Sequence, residues 1–392
     1  MQIVILGGGA SGIMAALTAA EDKSNTVTLL ERQARIGRKL LSTGNGRCNI
    51  TNTNPSDGHY HGNQASFANY AIGNFDARES MAYFSKLGLL TVEQYGGRVY
   101  PLSDSANSVV DVLRFTLESR GVCVHTGECV KSVRKTGDTF SIVTDRDSYK
   151  SDRLIVACGG KAGGKVGGVS DGYDILKSFG HKCTKLYPAL VPISTENEYT
   201  RSLKGVRCDA RITLNGQTSY GELQFTENGV SGPAAFDISR TATIEGGTLM
   251  IDLLPYVENL VPMLQGRREV FPNLESGNLL TGILHNRLAV VMVKYSGIRP
   301  SVPIAELSDA QIEKIVSDCH CFRLKIKGTG NFDSAQITVG GIATIGFDNK
   351  TMQSKLVPGL YACGEVLDID ADCGGYNLRW AWASGRLAGK TL

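Results

Sequence analysis

QIVILGGGASGIMAALTAAEDKSNTVTLLE, Gln2 to Glu31, is an apolar run, a glycine turn, a small-residue helix, a polar turn and a second apolar run ending in an acid. Gly7, Gly9 and Gly12 fit G-x-G-x-x-G where a strand gives way to a helix, the setting that gives the spacing meaning. Gly7 permits the tight turn, Gly9 lets the backbone approach a pyrophosphate, and Gly12 lets helix and strand pack closely. The helix start turns free N–H groups and partial positive charge toward phosphate. Glu31, about 20 residues past the glycines, is placed to accept ribose hydroxyls. A carboxylate there repels a 2′-phosphate, so the expected nucleotide is FAD or NAD rather than NADP.

No charged residue occurs between Met1 and Ala20, which raises the competing reading of a membrane span or signal peptide. A signal peptide wants a basic start, whereas the first lysine is Lys23, and a span rarely opens on three consecutive glycines. No membrane association is expected.

The chain of 392 residues is long for one core, so two or three domains are expected. Hydrophobic content of 42% with 20% charged residues describes a folded globular protein, and a net charge of +3 does not by itself call for nucleic acid. Ten cysteines without a C-x-x-C pair exclude common zinc spacings. With no export signal read, reduced thiols in a cytoplasm are the expectation.

After Glu31, RQARIGRKLLSTGNGRCNITNTNPSDG lacks periodicity and reads as a long functional loop. Its cations Arg32, Arg35, Arg38, Lys39 and Arg47 are candidates to neutralise a pyrophosphate or a reduced flavin; a solvated basic loop is the plainer alternative. Thr43 to Asn49, TGNGRCN, suits a backbone laid against a flat polar ring edge. Asp76 and Glu79 are spaced as a capping box for a helix ending before Gly88. Val109, Val110, Leu113 and Leu117 form the buried stripe of another. VCVHT, CVKSVRK and TFSIVT look like an antiparallel meander, followed by the apolar strand Leu154 to Ala157 and a Cys158-Gly159-Gly160 turn. No second G-x-G-x-x-G follows.

From Leu203 to Leu254 the pattern is β-rich, with an Asn215-Gly216 hairpin signal. From Pro255 it becomes helical, through ELSDAQIEKIVSDCHCFRLKI. Cys319, His320 and Cys321 lack the other ligands of a metal site, and Asp368, Asp370 and Asp372 lack the glycine and distal glutamate of a calcium loop. No metal is expected. Near the end, Leu360 to Cys363 reads as a strand, Gly364-Glu365 as a turn, and Tyr376 to Leu387 as a closely packing helix preceded by Gly374-Gly375.

Three segments, GGGASG with Glu31, GRKLLSTGNGRCNITN, and GLYACGEVLDIDADCGGYNLRWAWASG, together resemble the bacterial aminoacetone-oxidase-like or 3-dehydro-bile-acid-reductase-like NAD(P)/FAD-dependent oxidoreductases. The resemblance spans nearly the whole chain. It implies an α/β fold: a split glutathione-reductase-like FAD-binding Rossmann domain (residues 1–190 and 332–392) with an inserted β-barrel-like domain (191–254) and a helical one (255–331). It also implies FAD contacts at Gly7, Gly9, Ala10, Ser11, Gly12, Glu31, Lys39, Asn45, Gly46, Val130, Gly364, Glu365, Gly375, Asn377 and Leu378.

The function expected is hydride exchange through flavin N5 with a small organic substrate, NAD(P)H being a transient donor. Substrate is expected between the flavin face and the inserted domains, with Tyr187, Phe225, Thr226 and Tyr376 as candidates. The alternatives are an oxygen-using oxidase of small amines and a flavin-binding RNA-associated or redox-sensing module. Substrate identity, the catalytic acid or base, and oligomeric state are not legible.

Overall fold

The opening stretch folds into β1 (Gln2–Leu6), α1 (Ala10–Ala19) and β2 (Thr26–Glu31) in the computed structural model, which describes residues 1–55 and 58–390. Ser56 and Asp57, near the end of the expected long loop, lie outside the described residues. The chain divides into two compact units, one of Met1–Pro188 with Ala335–Leu392 and the other of Ala189–Ser334.

In the first unit, helices α2 (Ala77–Lys86) and α3 (Ala106–Ser119) precede β3 (Cys123–Thr126) and β4 (Arg153–Val156). The chain returns as β5 (Leu360–Ala362) and closes with α4 (Tyr376–Lys390). The five strands form one parallel sheet in the order β5-β4-β1-β2-β3. This is the 3-2-1-4-5 order of a Rossmann sheet, in which ligands bind beyond the carboxyl ends of the strands where the order reverses. Near-continuous apolar runs are what a sheet covered on both faces needs, and Ile3 to Leu6 and Leu154 to Val156 are all buried.

The helices form for local reasons. Asp76 caps α2 by accepting the Glu79 N–H at 2.8 Å, satisfying one of the donors a helix start leaves unpaired. In α3, Ala106, Val109, Leu113 and Leu117 share the buried face. Each fully buried Val or Leu contributes about 1.5–3 kcal/mol.

VCVHT does not join the meander: it is β3, the edge of the parallel sheet, with Thr126 opposite Glu31. The antiparallel meander comprises Val130–Thr136, Thr139–Thr144 and Ser148–Ser151. An exposed edge strand alternates just as a hairpin strand does, so periodicity alone does not separate the two.

The second unit is built on a closed six-stranded antiparallel barrel. Asn215 and Gly216 turn its longest hairpin with φ of 49° and 86°, the left-handed pair a two-residue hairpin requires. The barrel closes through Phe322–Thr329, which corrects the helical reading of FRLKI. Helices Leu260–Val270, Asn286–Tyr295 and Asp309–His320 contribute to the same buried cluster as the barrel strands. Among the described residues, no helix is long and apolar enough to cross a membrane.

Candidate functional site

At the end of β1, Gly7 has φ of +106° and donates its N–H to Leu30 at 2.8 Å, locking the turn against β2. A Cβ on Gly12 would overlap the Gly7 carbonyl oxygen, whereas one on Gly9 would meet nothing within 4 Å. The turn is therefore tight on its inner side and open where a ligand must approach. The first bond within α1 runs from the Ile13 N–H to the Gly9 carbonyl at 2.9 Å, leaving the N–H groups of Ala10, Ser11 and Gly12 ahead of it. Glu31 accepts the Gly8 N–H through Oε2 and the Gln33 N–H through Oε1, each at 2.7 Å. A carboxylate has about four acceptor positions, so two are left for ribose hydroxyls. Burial pushes the Glu31 carboxyl above its usual range, with the Gln33 and Gly8 bonds opposing that rise.

Remote segments meet this turn. A Cβ on Gly364 would overlap the Ser11 hydroxyl. Lys39 pairs with Glu365 at 2.7 Å, and Glu365 also accepts the Thr338 N–H at 2.8 Å. Glu128 donates its N–H to the Glu31 carbonyl at 3.0 Å, which puts Val130 two residues from that contact.

A second helix start completes the arrangement. The first bond within α4 joins the Arg379 N–H to Gly375 at 3.0 Å, leaving the N–H groups of Asn377 and Leu378 ahead of it. The loop of Gly44, Asn45 and Gly46, all at positive φ, leads to Asn49 and Thr51. A Cβ on Gly375 would crowd the Thr51 carbonyl and the Asn49 side chain, so the loop and the helix start share one place. The Asn377 side chain is committed to the Ala371 backbone, leaving its N–H as the free group. Gly385 of α4 lies against Ser11, ten residues beyond Gly375, so the two helix starts are about 15 Å apart along α4. Two sets of amides separated by an extended linker's length, with a carboxylate beyond one of them, suit FAD.

Most cations of the loop serve the protein itself. Arg32 pairs with Asp171 at 2.9 Å, Arg38 bonds Gln33 at 2.8 Å, and Arg47 pairs with Asp104 and lies over the Tyr100 ring at 4.0 Å. Arg32 and Arg47, like Lys39, thus face carboxylates of the protein.

The substrate candidates fare unevenly. Phe225 is fully buried in the barrel interior with Phe322, and its inward position on the strand makes it a packing residue, which corrects its assignment. Thr226 follows it, half-buried. Tyr187, in the first unit, lies under the Lys185 ammonium at 4.9 Å. Tyr376 opens α4 and stacks on His59, with ring centroids 4.1 Å apart.

That stacking belongs to a cluster the sequence reading missed. His59 Nδ1 lies 2.9 Å from one Asp372 oxygen and His61 Nε2 2.7 Å from the other. A short ladder pairs Asp370 with His61 and Ala371 with Tyr60, carrying both imidazoles to the loop before α4. Burial alone would raise the Asp372 carboxyl, but the bonds from His61 and His59 outweigh it and hold it below its usual range. The H-x-H spacing was the only trace of it in the sequence, and the strand there, Tyr60–His61, is too short to display a period. The Cys319-His320-Cys321 segment is engaged otherwise: His320 contacts Asp252 at 3.0 Å, and burial pushes the Cys319 thiol up to about 12.

The 3-2-1-4-5 sheet, its glycine turn and the relatives below together define an FAD-dependent oxidoreductase. The chain belongs to the HI0933-like family, whose Rossmann-domain model matches residues 1–391. It is 38% identical to a 3-dehydro-bile acid delta(4,6)-reductase of Clostridium scindens, over 99% of this chain and 98% of that one. It is 31% identical to a ribosomal RNA dihydrouridine synthase of Escherichia coli, over 97% and 95% of the two chains. Among solved structures, the 3-ketosteroid delta1-dehydrogenase of Sterolibacterium denitrificans shares the fold, with a TM-score of 0.50, 12% identity and coverage of 99% and 98%.

Proposed function

We propose that the protein reduces a carbon–carbon double bond conjugated to a carbonyl in a small, steroid-like molecule, using FAD that NAD(P)H reduces. The observation that carries this reading is the 38% identity, end to end, to a bile-acid reductase. Bound FAD supplies hydride exchange at N5.

The polypeptide's part is to bind, orient and supply a proton. Amides of α1 hold the pyrophosphate, Glu31 holds the ribose, and the start of α4 offers N–H groups to the pyrimidine end, where negative charge gathers on reduction. Saturating a double bond consumes one hydride and one proton. His59 and His61 face Asp372 through Nδ1 and Nε2 respectively, so His59 Nε2 and His61 Nδ1 are the atoms on which that proton can rest.

The test is anaerobic. FAD-loaded protein is mixed with NADH or NADPH and then with a steroid 4,6-dien-3-one. Flavin bleaching followed by reoxidation with loss of the dienone is expected; absence of both overturns the reading. Bleaching with small amines, reversed by oxygen, would instead identify an oxidase.

A second reading rests on the 31% identity to a ribosomal RNA dihydrouridine synthase, because uridine also carries a double bond conjugated to a carbonyl. It predicts that reduced protein converts uridine in ribosomal RNA, scored by mass spectrometry of the nucleosides, while leaving the dienone untouched.

A further inference from the structure

Asn377, the second residue of α4, faces two ways. Its backbone N–H is one of those left ahead of the first helical bond, while its side chain turns back along the chain. Oδ1 accepts the Ala371 N–H at 2.9 Å, and Nδ2 donates to the Ala371 carbonyl at 2.6 Å and to the Asp372 carbonyl at 3.2 Å. An oxygen set against a donor and an NH₂ set against two acceptors leave the amide one way to point.

The chain spanned by these bonds is soft. It contains Gly374 and Gly375, at φ of 130° and 104°, and glycine loses more conformational freedom on folding than any other residue. Without the Asn377 side chain, those glycines would let the Asp372 loop swing against the helix. Ala371 lies opposite Tyr60, between the two imidazoles that face Asp372. The Tyr60 hydroxyl in turn donates to the Tyr376 carbonyl at 3.2 Å. One amide side chain therefore ties the N–H groups at the start of α4 to the carboxylate and imidazoles beside them. Hydride and proton go to the two carbons of one double bond, so their sources need a fixed separation.

We propose that Asn377 is a positioning residue: its side chain sets the spacing between the α4 amides offered to the flavin and the imidazoles of His59 and His61. The proposal rests on the reductase reading of this site.

Asn377→Leu keeps a similar volume and removes all three bonds. In FAD-loaded protein the flavin potential should fall by about 30 mV, a tenfold loss of affinity for reduced over oxidised flavin in a two-electron couple. In single turnovers of reduced protein with the dienone, the limiting rate should fall at least tenfold with half-saturation within twofold. A residue serving the fold alone would lower the melting temperature and move neither. An unchanged potential, or a limiting rate that holds, overturns the proposal. If wild-type protein leaves the dienone untouched, the reductase reading fails, and the NMR resonances of His59 and His61 take the place of the rate. They should move on photoreduction of the flavin in the wild type and less than half as far in the variant; no movement, or equal movement, overturns the proposal. Should Asn377→Leu fail to fold, Asn377→Ser, whose hydroxyl cannot span both carbonyls, is held to the same outcomes.

Discussion

Gly385 lies so close to Ser11 that a Cβ on the glycine would overlap the serine carbonyl oxygen. The contact fixes how near α4 passes to the start of α1, and with it the distance between the two sets of free amides. Gly385→Ala should force the helices apart at a cost of about 1–3 kcal/mol, the range for overpacked cores. Urea unfolding measures that cost. Because the displacement acts on the start of α1, FAD affinity should fall as well, and a fluorescence titration of the flavin checks it. Lost stability with unchanged FAD affinity would show that this contact does not position the cofactor.

Glu31 binds two backbone N–H groups, and an amide cannot do the same. Glu31→Gln turns an NH₂ toward either Gly8 or Gln33, leaving one donor unpaired at about 1–3 kcal/mol. FAD affinity should drop at least tenfold. The raised Glu31 carboxyl sets the pH dependence in the wild type. Its ionised form is disfavoured in the fold, so acidification through the folded value toward the unfolded one, about 4.3, relieves a cost to the apo-protein. The same protonation removes a ribose acceptor. Apo-protein should therefore hold its stability in mild acid while FAD binding weakens, which paired thermal melts and flavin titrations separate.

The glycine spacing made β1, α1 and β2 readable, because that unit is held by contacts local in sequence. The end of the chain was readable too, since Gly374-Gly375 and the small residues Ala383, Ser384, Gly385 and Ala388 mark a helix start and a close packing face. Non-local pairing was harder. VCVHT becomes β3 only because Thr126 meets Glu31, and FRLKI becomes a strand only because it pairs with Thr248–Ile251 as the barrel closes. The His59–Asp372 contact joins residues 313 apart through a two-residue strand, too short to show a period.

Lys39 and Glu365 form an ion pair with side chains 30% and 21% exposed. Lys39→Met leaves Glu365 with the Thr338 N–H as its remaining bond among those described. Solvent still reaches the pair, so the loss should be about 1–2 kcal/mol, below that of a fully buried pair. Glu365→Gln should cost a similar amount, and the double variant less than the sum. Denaturation of all four proteins closes the cycle, and strict additivity would mean that the contact carries no net energy.

Asp372 gives the cleanest pH signature, because one carboxylate holds two imidazoles. Its folded value lies below the unfolded one, so the stability it contributes is fully present above the unfolded value of about 3.9 and is lost as pH falls through the folded value. Asp372→Asn should lower stability at pH 7 by about 1.5–3 kcal/mol, the worth of a hydrogen bond to a charged group. The gap between variant and wild type should begin to narrow below about pH 4. If the imidazoles also hold the proton used in turnover, the same variant should shift the acid limb of the kcat profile, whereas a purely structural Asp372 would lower stability and leave that limb in place. Denaturation from pH 3 to 8, set beside a pH–rate profile, distinguishes the two.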